Sequence, residues 1–239
     1  MVVAVESPPA YWSAVALALA GCLAASLIAR RWPGPWRTIA ARLIGLALAA
    51  DVITYSVQQA TNGSWSATTD LPLALCDVAA LVAALACWWP VPLLVELTYF
   101  WGLAGTLQAV ITPDLNVGFP HLVFFEYLVG HLGIVCAALF LVVGLGLRPR
   151  PGSVPRVFGL TALYTAFVGL IDALSGANYM FLRRPPGEWT VLRLLGPWPW
   201  YTASAAGVAL VLLVLLDWPF RKARRCGVAR RPVTRPASG

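Results

Sequence analysis

Apolar residues run along this chain in long blocks, without the strict alternation of a half-buried strand or the narrow stripe of a surface helix. Seven blocks match or approach the roughly 20 residues that an α-helix needs to cross a bilayer. They are Tyr11–Ala29, Ala40–Val57, Leu71–Trp89, Val91–Val110, His121–Leu147, Val157–Ser175 and Trp198–Leu216. Polar, basic or proline-bearing breaks separate them. The third and fourth blocks part only at Trp88-Trp89-Pro90, where proline interrupts the helical ladder. The pattern predicts an all-α fold: a polytopic membrane bundle of seven transmembrane helices over residues 1–220. A basic tail over residues 221–239, expected to be disordered, completes the chain.

Composition supports this reading. Of 239 residues, 59% are hydrophobic and 11% charged, against roughly a quarter charged in a soluble domain. The blocks leave no room for a separate soluble domain, and no internal repeat is visible. Charge then orients the bundle. The first loop carries Arg30, Arg31, Arg37 and Arg42, and the fifth Arg148, Arg150 and Arg156. The tail carries Arg221, Lys222, Arg224, Arg225, Arg230, Arg231 and Arg235. With seven crossings these 14 of the 17 basic residues share one face, and Arg183, Arg184 and Arg193 take the other. By the positive-inside rule the N-terminus lies outside and the tail is cytoplasmic, as expected of a multi-pass cell-membrane protein. Trp12, Trp65, Trp189, Trp198 and Trp200 then fall at the outer interface, and Trp32, Trp36, Trp88, Trp89 and Trp218 at the inner one, leaving only Trp101 within a span. The net charge of +7 follows from the same bias, and the tail suits anionic headgroups. A nucleic-acid partner is not expected, because the polar face it needs is missing. Oligomeric state is not readable.

Five cysteines, Cys22, Cys76, Cys87, Cys136 and Cys226, form no C-x-x-C pair and no metal-ligand spacing. Leu19-Ala20-Gly21-Cys22 resembles a lipoprotein cleavage box. The positive charge follows its apolar run instead of preceding it, so Cys22 reads as a buried small residue.

Ionisable groups inside spans are costly and commonly mark function. Here they are Asp51, Asp77, Glu96, Glu126, His131 and Asp172. Given the alternating directions of the helices, all but Glu96 fall in the outer half of the bundle. Asp51 shares a stripe with Tyr55 and Gln58. Asp70 is placed to cap the third helix with Pro72 in its first turn, which sets Cys76 and Asp77 about one and a half turns deep. Gln108 ends the fourth span. Asp172 and Ser175 end the sixth, followed by Asn178, Tyr179 and the pair Arg183 and Arg184. Glu96 reads as interhelical glue or an inner-surface anchor. The expectation is one polar cavity in the outer half. Within it Cys76 and His131 are candidate nucleophile and base, and Glu126, Asp172 or Asp77 would orient the imidazole. Asp51, Gln108, Asn178, Arg183 and Arg184 are candidate substrate-binding residues, the two arginines for a phosphate. No metal and no cofactor is expected.

The segments "LPLALCDVAALVA", "ELTYFWGLAGTLQAVITPDL", "FPHLVFFEYLVGHLGIV", "LRPRPGSVPRVFG" and "GANYMFLRRPP…LLGPWPWY" resemble the bacterial YwaF-like integral membrane family, grouped with eukaryotic transmembrane protein 164. The resemblance covers roughly residues 40 to 220, in order. It implies an acyltransferase that moves fatty acyl chains between phospholipids through a cysteine early in a membrane helix. That role falls on Cys76, with His131 as base and membrane lipids as partners. The concrete reading is therefore a phospholipid acyltransferase or lipid hydrolase. The alternatives are a proton-coupled small-molecule transporter and a non-catalytic scaffold or sensor.

Overall fold

The computed structural model describes residues 8–228 except 62, 64, 114, 116, 117 and 186–193, with side chains described from 9 to 222. The expectations for Trp189, Arg193, Arg230, Arg231 and Arg235, and for the side chains of Arg224, Arg225 and Cys226, lie outside the described residues.

Long apolar blocks without internal breakers become long helices. These are α1 (Pro8–Arg31), α2 (Trp36–Thr61), α3 (Leu75–Trp88), α4 (Pro92–Phe100), α5 (Leu107–Ile111), α6 (Leu122–Leu139), α7 (Ser153–Ser175) and α8 (Trp200–Val228). A π-turn, Trp101–Thr106, joins α4 to α5 as one continuous rod, and a second, Phe140–Gly144, ends α6. Neither turn is foreshadowed by the apolar pattern. Among the described residues there is no strand. Six helical stretches are long and apolar enough to cross a membrane, and the chain is a multi-pass membrane protein. α8 runs on through residues 221–228, beyond the bundle end expected at 220.

The third block departs from expectation. Only Leu75–Trp88 is helical, about 21 Å of rise. The cap residue is Ala74, in an extended conformation. Asp70 caps nothing on α3. It accepts bonds from the Ser66 N–H at 2.8 Å and the Thr69 hydroxyl at 2.9 Å, closing the preceding turn. The cause is Pro72, whose ring disfavours helical backbone at Leu71 and pushes it toward extended geometry. Non-helical backbone at membrane depth must still find hydrogen-bond partners. Two tyrosines supply them: Leu71 N–H donates to the Tyr179 hydroxyl at 2.9 Å, and the Tyr164 hydroxyl donates to Leu73 C=O at 2.9 Å. The helix therefore begins recessed inside the bundle.

α3, the α4–α5 rod and α6 form the interior. The windows over Pro92–Ile111 and Leu122–Gly144 are 56% and 50% buried, against 17% or less for α1, α2, α7 and α8. Small residues permit this close approach. A Cβ at Gly45 would stand 2.9 Å from Ala84 C=O on α3, and one at Gly133 would meet Leu48 of α2 at 2.8 Å.

Hydrogen bonds gather the basic segments at one end. Arg37 donates to Gly144 C=O at 2.8 Å, joining the first loop to the end of the α6 rod. Glu96, 1% exposed, accepts from Arg150 Nε at 2.8 Å and Arg156 Nη1 at 2.7 Å, tying the 146–152 loop to α4. Ser153 reaches Asp217 of α8 at 3.4 Å. Glu96 is thus the anchor at this end that its sequence position suggested.

Candidate functional site

A cavity of about 480 Å³ opens at the opposite end of the bundle, between α2, α3, α6 and Tyr179. Cys76 and Asp77 of α3, Asp51 of α2, and Glu126 and His131 of α6 all line it. Four of the five ionisable groups assigned to this half converge here, together with the thiol. The recessed start of α3 explains the meeting. Cys76 is the second residue of its helix, in the first turn, and not one and a half turns down a longer one. His131 lies nine residues beyond Leu122, roughly 14 Å along α6. A third helix beginning at the headgroups would have carried Cys76 well above it.

Each side chain is set locally. His131 Nδ1 lies 2.9 Å from Tyr127 C=O, one turn back, and its ring stacks on that of Tyr127 at 4.2 Å between centroids. A carbonyl can only accept, so Nδ1 carries the proton and Nε2 of the neutral ring keeps its lone pair. The group that orients the imidazole is therefore a backbone carbonyl, where the sequence had suggested a carboxylate. Tyr127 in turn donates its hydroxyl to Ala109 C=O at 2.7 Å, fixing α6 against α5.

Asp77 serves the helix. As third residue of α3 it takes the N–H of Ala74, the return half of a capping box. That is the reason for a carboxylate beside the cysteine: it satisfies the exposed start of the helix on which the thiol rides. Glu126 accepts from Gln58 at 2.5 Å, linking α6 to α2. Asp51 lies over Gly130, where an added Cβ would come within 2.8 Å of its carboxylate oxygen. The Cys76 thiol is hydrogen-bonded to the Thr106 hydroxyl. No hydrogen bond joins the thiol to His131. The cysteines Cys22, Cys76, Cys87 and Cys136 are all free thiols.

Other candidates lie elsewhere. Asp172 is fully buried outside the cavity, where Oδ1 accepts Tyr179 N–H at 2.9 Å. It holds the turn after α7, which Gly176 ends in the left-handed region at φ 79°, so Tyr179 leaves the helical face it was expected to share. Asp172 cannot orient His131. Gln108 is exposed and lines no part of the cavity. Asn178, Arg183 and Arg184 border a separate hollow of about 450 Å³ with Gly176 and Ala177. There Asn178 Oδ1 accepts the N–H groups of Arg183 and Arg184 at 3.0 and 3.1 Å, and Arg183 caps Asp172 C=O and Ala177 C=O at 3.3 Å. Among the described residues, no group of three or more His, Cys, Asp or Glu is placed to hold a metal.

The TMEM164 family model matches residues 6–217. This chain belongs to the TMEM164 family. No curated protein and no solved structure matches it. The match spans all seven apolar helices and every residue that lines the TMEM164-family cavity. Three contributors escaped the sequence reading: Thr106, Tyr127 and Tyr164. Tyr127 carried a readable signal, since it stands four residues before His131 on a helix and so shares its face.

Proposed function

We propose that the cavity transfers acyl chains between phospholipids through a thioester on Cys76. The observation that carries this reading is that Cys76, on the first turn of the recessed α3, shares one cavity with His131, whose Nε2 is left free by the bond at Nδ1. The thiol gives its proton to Nε2. The thiolate attacks the ester carbonyl, a C–S bond forms, the ester C–O bond breaks, and the leaving alkoxide takes the proton back from His131. In the second half a lysolipid hydroxyl gives its proton to Nε2 and attacks the thioester carbonyl. A C–O bond forms, the C–S bond breaks, and sulfur recovers the proton. Water as acceptor gives hydrolysis instead. Splitting transfer into two steps is the advantage of a covalent nucleophile.

Two features support the reading. The N–H groups of Leu75 and Cys76 have no hydrogen-bond partner among the described residues, and the start of α3 presents them at the positive end of its dipole. Such donors suit the oxyanion of a tetrahedral intermediate. The cavity rim also carries Tyr55 and Val123, 46% and 49% exposed, where an acyl chain can enter from the bilayer. Catalytic hydrogen bonds commonly tighten only with substrate bound, so the open Cys76–His131 spacing is compatible with the chemistry. We place the N-terminus outside the cell membrane and the basic end in the cytoplasm, against anionic headgroups, with the cavity in the outer half. Transport has less support: at the other end Glu96 is consumed by Arg150 and Arg156.

The test is reconstitution in vesicles holding a labelled diacyl phospholipid and a lysophospholipid. Label should pass to the lysolipid with native protein and not with Cys76→Ala. Equal transfer by Cys76→Ala would end the proposal.

A further inference from the structure

We infer that Thr106 is the positioning residue of the Cys76 thiol, and that the π-turn Trp101–Thr106 exists to present its hydroxyl. The inference rests, for its catalytic consequence, on the acyl-transfer reading.

A buried hydroxyl needs a partner. In this chain the usual partner is the carbonyl four residues back. Ser26, Ser56, Thr161 and Ser175 each donate there, at 2.7–2.8 Å. Thr106 is 2% exposed, near the middle of the innermost rod, and makes no such bond. It closes the π-turn, whose wider loop inserts an extra residue and shifts α5 out of register with α4. The hydroxyl reaches across to Cys76 instead. The two elements touch at this level on an independent measure: a Cβ on the neighbouring Gly105 would lie 3.5 Å from Leu75, the first residue of α3. The thiol is thus held from behind by Thr106, which lines no part of the cavity, while Cys76 itself does.

The hydroxyl keeps its own proton throughout. It accepts from the thiol at rest and donates to the sulfur once the S–H proton has gone to His131 Nε2. A hydrogen bond to the charged form favours that form, and the branched side chain of threonine restricts χ1, so the donor stays aimed. Mid-helix serine or threonine normally signals nothing beyond a satisfied hydroxyl. The π-turn is what frees this one.

The test measures two rates on the full chain in detergent micelles. The first is alkylation of Cys76 by iodoacetamide at fixed pH, read by peptide mass spectrometry at that residue. The second is formation of the Cys76 acyl-thioester from phospholipid. Thr106→Val should slow both by about tenfold, the scale of one charge-assisted hydrogen bond. Thr106→Ser should restore both, and the lipid concentration giving half-maximal rate should stay unchanged. If Thr106→Val does not fold, Thr106→Ala against Thr106→Ser makes the same comparison, since only serine keeps the hydroxyl. Alkylation rates that ignore the hydroxyl overturn the inference, whether or not acyl-thioester forms. Absence of acyl-thioester in native protein, with alkylation still following the hydroxyl, defeats the acyl-transfer reading and leaves the Thr106–Cys76 pairing standing.

Discussion

His131 shows how little of a catalytic constellation need be charged. Its useful nitrogen is defined by a bond from the other nitrogen to Tyr127 C=O, and its ring plane by the Tyr127 ring. Replacing His131 with Gln should reduce transfer by roughly 10²–10⁴-fold, the usual worth of a general base, without loss of folded protein. Tyr127→Phe keeps both the carbonyl and the ring and removes the bond to Ala109. It should lower stability by only about 1 kcal/mol and leave most of the activity, as thermal melts and the vesicle assay will show. Glu96 belongs to another class. It is buried under Arg150 and Arg156, and Glu96 also raises the affinity of the Arg150 guanidinium for its proton above the ordinary value. Glu96→Gln leaves the two arginines without their counter-charge. Because the arginines are part-exposed, the cost should be on the order of 2 kcal/mol, less than for a fully buried pair, and should appear as a lower melting temperature.

At the scale of elements, the distinctive piece is a third helix that starts late. Hydropathy marked residues 71–89 as one apolar block, and apolarity cannot tell an extended segment from a helical turn. Pro72 was open to two readings, since proline is equally at home in a first helical turn and just outside it. Tyr164 and Tyr179, more than 90 residues along the chain, decide between them by bonding the extended backbone. That is tertiary information. Convergence of Asp51, Asp77, Glu126 and His131 was legible, because charge bias and alternating helix direction are enough to give each a depth. The partners of each were not. Asp172 was misplaced from the cavity for this reason: depth says nothing about which neighbour a side chain faces. Close helix approach makes one further expectation. Gly130→Ala should push the Asp51 carboxylate aside and cut transfer, whereas Gly159→Ala, with nothing within 4 Å, should be silent in the same assay.

The whole molecule has two unlike ends. One is closed by arginines bonded to loop carbonyls and to Glu96, and the other holds the cavity. Bonds from the first loop to the α6 rod, and from Ser153 to Asp217, place the basic segments together, as an odd number of traversals requires. A reporter active only in the cytoplasm, fused after residue 239, should therefore be active, and the same reporter before residue 1 silent. The reverse pattern would turn the cavity to the inner leaflet. The central claim is narrower: that the thiol at the head of α3 carries an acyl group in turnover. It is met most directly by incubating the protein with diacyl phospholipid, quenching in acid and weighing the peptide that contains Cys76. A hydroxylamine-labile fatty-acyl mass on Cys76, absent in His131→Gln, is the predicted result. Lipid turnover by native protein with Cys76 unmodified at every time point would contradict it.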